Sequence, residues 1–382
     1  MAVRKIKADK LFDGEKLLTG KIIVLDDEGT IVSIENDMQQ DVACFQGILT
    51  PGFINCHCHL ELSHLHGAIP KHTGLVHFLL AVLKLRNHEE NMILDAIARQ
   101  DALMYERGIV AVGDICNTTH TIARKKISKI SYRNFVETMG FFPEIADARF
   151  TLAHTTLQAF EANEQHAAIV PHAPYSVSET LFRKINREAA GKIISIHNQE
   201  TAEENKLFLG HPGGFENFYK QLGADISFFV APFKNSLQAY LPLLANAKKI
   251  LLVHNSFTSE EDVAFAETFA MEKNIALYWI LCPNANLYIE HTLPDVEVFI
   301  KYKCKLAIGT DSLSSNDELD VLSELRTLKQ HFPSISTERL LQMATCEGAS
   351  ALGFSGLGRI ESGKKPGINL VDENLNLIKK IT

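Results

Sequence analysis

A chain of 382 residues with 46% apolar and 22% charged side chains can bury a large core, and its composition excludes a disordered or fibrous protein. No arginine-rich or lysine-rich stripe interrupts a net charge of −8, which excludes nucleic acid as a partner. Lysine pairs such as Lys125–Lys126 read as solvated helix or loop ends. Seven scattered cysteines argue against a disulfide framework, no apolar run has membrane-span length, and the first residues lack the apolar core of a secretory signal; a reduced, cytoplasmic protein without a membrane partner is expected.

In chain order, residues 1–50 contain "GKIIVLDDEGTIVSIEN", two short strands around an acidic-glycine turn. The tail, residues 356–382, has the same texture. Neither piece can bury a core alone, so the two are expected to pair as a small composite β-sandwich beside a central domain of residues 51–355. Within that domain, β-branched runs alternate with amphipathic stretches. The strands are expected at 52–57, 108–114, 131–140, 166–172, 192–197, 249–254, 274–282 and 304–311. Helical patterns at 93–108 and 178–191 lie between them, the second opening on Ser178 as N-cap. Eight such units predict an α/β fold, a (β/α)8 TIM-like barrel.

Chemistry in such a barrel gathers at the C-terminal strand ends. There the sequence places His57 and His59 on the first strand, His172 on the fourth, His197 with Glu200 on the fifth, His254 on the sixth and Asp311 on the eighth. Asp114 and Glu137 end two further strands, as supports for ligands or as structural groups. Neutral imidazoles plus a carboxylate suit Zn2+ or Fe2+. In "NCHCH" the two-residue alternation of a strand puts His57 and His59 on one face and Cys56 and Cys58 on the other, so the thiols pack away from the site.

These residues resemble the metal-dependent amidohydrolase superfamily, in its branch acting on heterocycles. "LTPGFINCHCHLELS" looks like its first-strand motif, "PHAPYSVS" (171–178) its fourth-strand substrate motif and "SIHNQET" (195–201) its His-x-x-Glu. "LLVHNSF" (251–257) looks like the sixth-strand histidine motif and "AIGTDSLSSN" (307–316) like the Gly-Thr-Asp signature. The resemblance implies one divalent metal, Zn2+ first and Fe2+ second, on His57, His59, His197 and Asp311. It implies His254, Glu200 and Asp311 as catalytic groups and His172 and Tyr175 as substrate contacts; Glu61 in "HLELS" is placed to face the pocket as a further contact. No lysine ends the fourth strand to bridge two ions. "CPNANLY" departs from the family pattern, with Ala285 where relatives carry serine.

The function implied is deamination of an aminated heterocycle, purine nucleoside-like, guanine-like or pterin-like. "HLELS" with "PHAPYSVS" resembles the branch that includes aminodeoxyfutalosine and S-adenosylhomocysteine deaminases. A water activated by the metal attacks the ring carbon, a second, free oxygen of Asp311 takes its proton, and Glu200 protonates the ring nitrogen before ammonia leaves. The same site could serve a chlorohydrolase or a cyclic-amide hydrolase. A catalytically dead binding barrel would have lost ligands, and none is lost. A small-molecule substrate is expected, and a homo-oligomer is compatible with the sequence.

Overall fold

The computed structural model describes residues 3–36 and 41–382. The chain opens with β1 (Val3–Phe12), β2 (Leu17–Leu18), β3 (Lys21–Asp26), β4 (Ile31–Asn36) and β5 (Ala43–Pro51). Next come β6 (Phe53–Cys58), β7 (Ile109–Cys116), β8 (Ser131–Thr138) and β9 (Ala167–Pro171), hydrogen-bonded in that order as a parallel sheet. A second parallel sheet holds β10 (Ile193–Asn198), β11 (Lys249–His254), β12 (Ala276–Leu281) and β13 (Leu306–Ile308). The last strands, β14 (Ile368–Val371) and β15 (Leu377–Lys380), return to β5, so the two ends of the chain share one seven-stranded sheet.

The parallel strands are almost wholly buried, as expected where helices cover a sheet; β6, with the sequence FINCHC, is buried at every position. The two parallel sheets touch at both edges. The His197 N–H donates to the His172 carbonyl at 2.9 Å beside β9 and β10. At the other edge Cys58 bridges to Asp311, and the N–H groups of Thr310 and Asp311 donate to the His57 carbonyl. That last pair explains why the expected eighth strand stops at Ile308. The chain turns across β6, and Asp311 adopts a left-handed φ of 56°.

Helices follow the strands: α1 (Leu75–Leu85) and α2 (Glu90–Glu106) after β6, α3 (Ile122–Ile127) after β7, α4 (Ala146–Ala162) after β8, α5 (Glu179–Glu188) after β9, and α6 (Ala202–Leu209) with α7 (Gly214–Gln221) after β10. Ser178 caps α5, accepting from the Leu181 N–H. No helix among the described residues is long and apolar enough to cross a membrane. Gly52 alone separates β5 from β6, and a Cβ there would meet Val110 at 2.4 Å, so the crossover between sheets requires glycine.

Two apolar clusters matter for the site. The large one fills and surrounds the parallel strands. A separate one gathers Leu75 and Phe78 of α1, Phe141, Tyr175, and Phe218 and Tyr219 of α7 into a wall beside the strand ends. The pair Lys125–Lys126 is corrected. Lys126 is exposed but Lys125 is buried, with Nζ 2.5 Å from Asp114 Oδ2 and 2.7 Å from Asn134 Oδ1. Neighbours on a helix point about 100° apart, so adjacent lysines on α3 need not share a surface.

Candidate metal centre and active-site cavity

Each candidate donor stands at, or just past, a strand end. His57 lies on β6 and His59 one residue beyond it, His197 on β10, His254 at the end of β11 and Asp311 after β13. The Nε2 atoms of His57 and His59 are 3.2 Å apart, and those of His59 and His197 3.3 Å. Asp311 Oδ1 is 3.5 Å from His57 Nε2 and 3.3 Å from His59 Nε2. Donor atoms gathered this closely could share one divalent ion, which four side chains from three strand ends would hold. His254 reaches the same point, its donor atom within 4.8 Å of those of His57, His197 and Asp311. The thiols do lie elsewhere: Cys56 Sγ faces the Gly348 carbonyl at 3.7 Å.

The backbone reaches this arrangement through uncommon conformations. Gln199, His254, Asn255 and Asp311 have φ of 44°, 75°, 63° and 56°. Left-handed backbone at residues other than glycine costs of order 1–3 kcal/mol each and needs support from its surroundings. Asn255 provides some of it, donating its side-chain amide to the Leu252 and Ile280 carbonyls.

Hydrogen bonds fix the rings. His197 Nδ1 lies 2.8 Å from the His172 carbonyl, which can only accept, so Nδ1 carries the proton and Nε2 keeps its lone pair. Asn286 Oδ1 does the same for His254 Nδ1 at 2.8 Å, leaving His254 Nε2 buried without a partner. Burial lowers the basicity of every imidazole here, His59 and His172 to about 3, which favours their neutral, lone-pair-bearing forms. The two acids diverge. Burial works to raise Asp311, but the hydrogen bond from His57 and the surrounding imidazoles hold it below the usual carboxylate range. Burial and then the charge of Asp311 push Glu200 well up. Glu200 Oε1 is 3.6 Å from His254 Nε2. The surroundings thus push the two acids apart, Asp311 toward its ionised form and Glu200 toward its protonated one.

Above this floor opens a cavity of about 300 Å³. His172, Tyr175 and Glu200 line it, with the apolar wall of α1, Phe141 and α7 opposite. His172 Nδ1 bonds Ser176 Oγ at 2.7 Å, and Tyr175 stacks on Phe215 with its hydroxyl unpartnered. Glu61 is not part of the lining. Its carboxylate accepts from the N–H groups of Asn117 and Thr118 and from the Thr118 hydroxyl, and Arg86 pairs with it at 3.4 Å. Arg86 itself faces the cavity. Glu137, also lining it, has Oε1 3.5 Å from His197 Nδ1 and is raised by burial to about 7.

Three groups escaped the sequence reading. Asn286 stands in "CPNAN" beside the noted Ala285, so the motif contained its signal. Ser315 donates to Asp311 Oδ2 at 2.5 Å, so the second oxygen expected to be free is engaged. The aromatic wall carries no motif.

A buried acid just outside the cavity gives a pH test. Glu204 is pushed up to about 8, chiefly by burial; its Oε1 accepts from the Gln199 N–H and the Ser236 hydroxyl, and Oε2 has no partner. A folded value above the unfolded one means that this group's contribution to stability is full below about pH 4.3 and is lost as pH rises through about 8. Glutamine keeps the acceptor and places an uncharged amide at Oε2. In the metal-loaded protein, Glu204→Gln is therefore expected to flatten the fall in Tm between pH 6 and 9, as followed by thermal denaturation. An unchanged slope would contradict the protonated state.

The amidohydrolase family model matches residues 48–382. An adenosine deaminase of Helicobacter pylori is 28% identical over 343 residues, covering 87% of this chain and 81% of that protein. A 5-methylthioadenosine/S-adenosylhomocysteine deaminase of Desulforamulus reducens is 26% identical over 386 residues, covering 93% and 80%. The crystal structure of Helicobacter pylori aminofutalosine deaminase in complex with methylthio-coformycin superposes with a TM-score of 0.80 at 25% identity, covering 99% of this chain and 93% of that one.

Proposed function

The chain belongs to the amidohydrolase family, and from that premise we propose that it is a metal-dependent aminohydrolase of a small aminated heterocycle, a purine nucleoside foremost. Water replaces the exocyclic amine, which leaves as ammonia. The carrying observation is the convergence of three imidazole nitrogens and Asp311 beneath a cavity lined by the buried carboxyl of Glu200. The reading includes the two parallel sheets closing as one (β/α)8 barrel over residues 51–355, which the contacts at both sheet edges support. Residues 1–50 and 356–382 form the composite β-domain beside it.

In this reading His57, His59, His197 and Asp311 would hold the ion, Zn2+ by preference over Fe2+ for a donor set rich in imidazole. Such an ion supplies a water acidic enough to act as a nucleophile near neutral pH. His254 holds that water through its unpartnered Nε2. Glu200 gives its proton to the ring nitrogen next to the attacked carbon, regains one from the added hydroxyl and passes it to the departing amine. Asp311, its carboxylate steadied at Oδ2 by Ser315, takes up the proton released from that water. His172 and Tyr175 contact the heterocycle. Glu61 acts at one remove, by fixing Arg86. The apolar wall favours a nucleoside whose substituent is also apolar over a free base.

Ammonia release by metal-loaded protein, assayed across adenosine, 5-methylthioadenosine, guanine, a pterin and an aminated triazine, tests this. One adenine nucleoside is expected to lead the panel, with ammonia and deaminated product formed one to one. Preference for the triazine would favour the chlorohydrolase-like chemistry, and no ammonia from any member would remove the proposal.

A further inference from the structure

We propose that Asp114, neutralised by the buried Lys125, is a positioning residue for the metal ligand His59; the inference rests on the metal-site reading above. β6 ends at Cys58, His59 follows, and Leu60 begins a 3-10 turn running to Leu65. His59 is therefore the one proposed first-strand ligand outside the regular strand, with φ −116° and ψ 76°. Its ring direction depends on how the chain leaves it.

The next peptide is fastened. Asp114 Oδ1 accepts from the Leu60 N–H at 2.8 Å, while Oδ2 pairs with Lys125 Nζ. Both side chains are removed from solvent, at 0% and 1% exposure for Asp114 and Lys125. The ammonium also donates to Asn134 Oδ1 and Cys116 Sγ and sits over the Tyr132 ring at 5.0 Å. One residue on, the Glu61 carboxylate takes the N–H groups of Asn117 and Thr118. The turn after His59 is thus tied at consecutive residues to the β7–α3 segment.

A buried ion pair is weak evidence for stability, because desolvation offsets its attraction, and an apolar pair of similar volume often serves as well. What an apolar pair does not supply here is an acceptor for Leu60. Without it that N–H is orphaned at the start of the turn and His59 loses its fixed exit. The role differs from that of an acceptor for an imidazole N–H, since the carboxylate grips the main chain beside the ligand.

Two double variants separate the acceptor from the charge. Asp114→Asn with Lys125→Met removes both charges and keeps an acceptor at Oδ1; Asp114→Leu with Lys125→Met removes both and leaves none. Both remove the Lys125 bond to Asn134 Oδ1, so that cost is common to the two. Zn2+ affinity, measured by competition with a chromophoric chelator, is expected to stay within about threefold of the parent for the first. For the second it should fall about 10–100-fold, the range for lost outer partners of metal ligands. Melting temperatures of the zinc-free forms show whether the two are matched in fold. Equal affinities would overturn the proposal. Amide exchange of Leu60 in the unaltered holoprotein is the second reading and needs no variant: strong protection is expected, and exchange at the rate of a free amide would overturn the proposal as well. If the unaltered protein binds no metal, the metal-site reading itself fails, distinct from either result.

Discussion

Replacing His197 by alanine is expected to leave a folded protein that retains less than about a tenth of an equivalent of metal after dialysis and shows no measurable turnover. The loss should exceed the 10–100-fold effect typical of outer partners. The ring supplies one corner of the donor set, with Nε2 3.3 Å from that of His59. His254, whose donor atom reaches the same point, is held through Nδ1 by Asn286 and would stay where it is, leaving this corner open. The fold should survive because the main-chain bond from the His197 N–H to the His172 carbonyl is independent of the side chain. Elemental analysis and a rate assay on the same preparation check both halves. A full equivalent of metal with normal turnover would remove His197 from the ligand set.

Glu200→Gln should do the opposite to binding, keeping the metal while lowering kcat by about 10²–10⁴-fold, the usual worth of a positioned acid–base group. Glutamine preserves shape and burial but has no ionisable proton to give. The competing account, an acid that merely complements a helix dipole, predicts almost no change in rate. Geometry already weakens it. α6 starts at Ala202 behind the cap Thr201, so Glu200 precedes the helix and lines the cavity instead. Turnover within a few-fold of the parent, with metal retained, would take Glu200 out of the mechanism.

The candidate site was readable from sequence where local periodicity decides direction. Two-residue alternation separates His57 from Cys56, and apolar runs mark the strands whose ends bring His197, His254 and Asp311 together. What was not readable depends on partners distant in sequence. Glu61 looked like a substrate contact until Asn117 and Thr118, more than fifty positions away, took its oxygens. Lys125 looked solvated because its burial comes from Asp114, Asn134 and the Tyr132 ring, which only the tertiary fold supplies. The cavity wall is similar. α1 and α7 each show an apolar face, and nothing local says that both turn it toward the same opening.

The seven-stranded sheet has a consequence for the order in which the chain can finish folding. β5 is hydrogen-bonded to β1 along one side and to β14 along the other. During synthesis β1 is available at once, whereas β14 emerges only after the whole span between Pro51 and Ile368 has been made. At about 5–20 residues per second that is a wait of roughly 15–60 s with one edge of β5 unpaired. An open strand edge invites pairing with other chains. That edge of β5 therefore stays open from the making of Pro51 to that of Ile368, and β14 is the element that closes it.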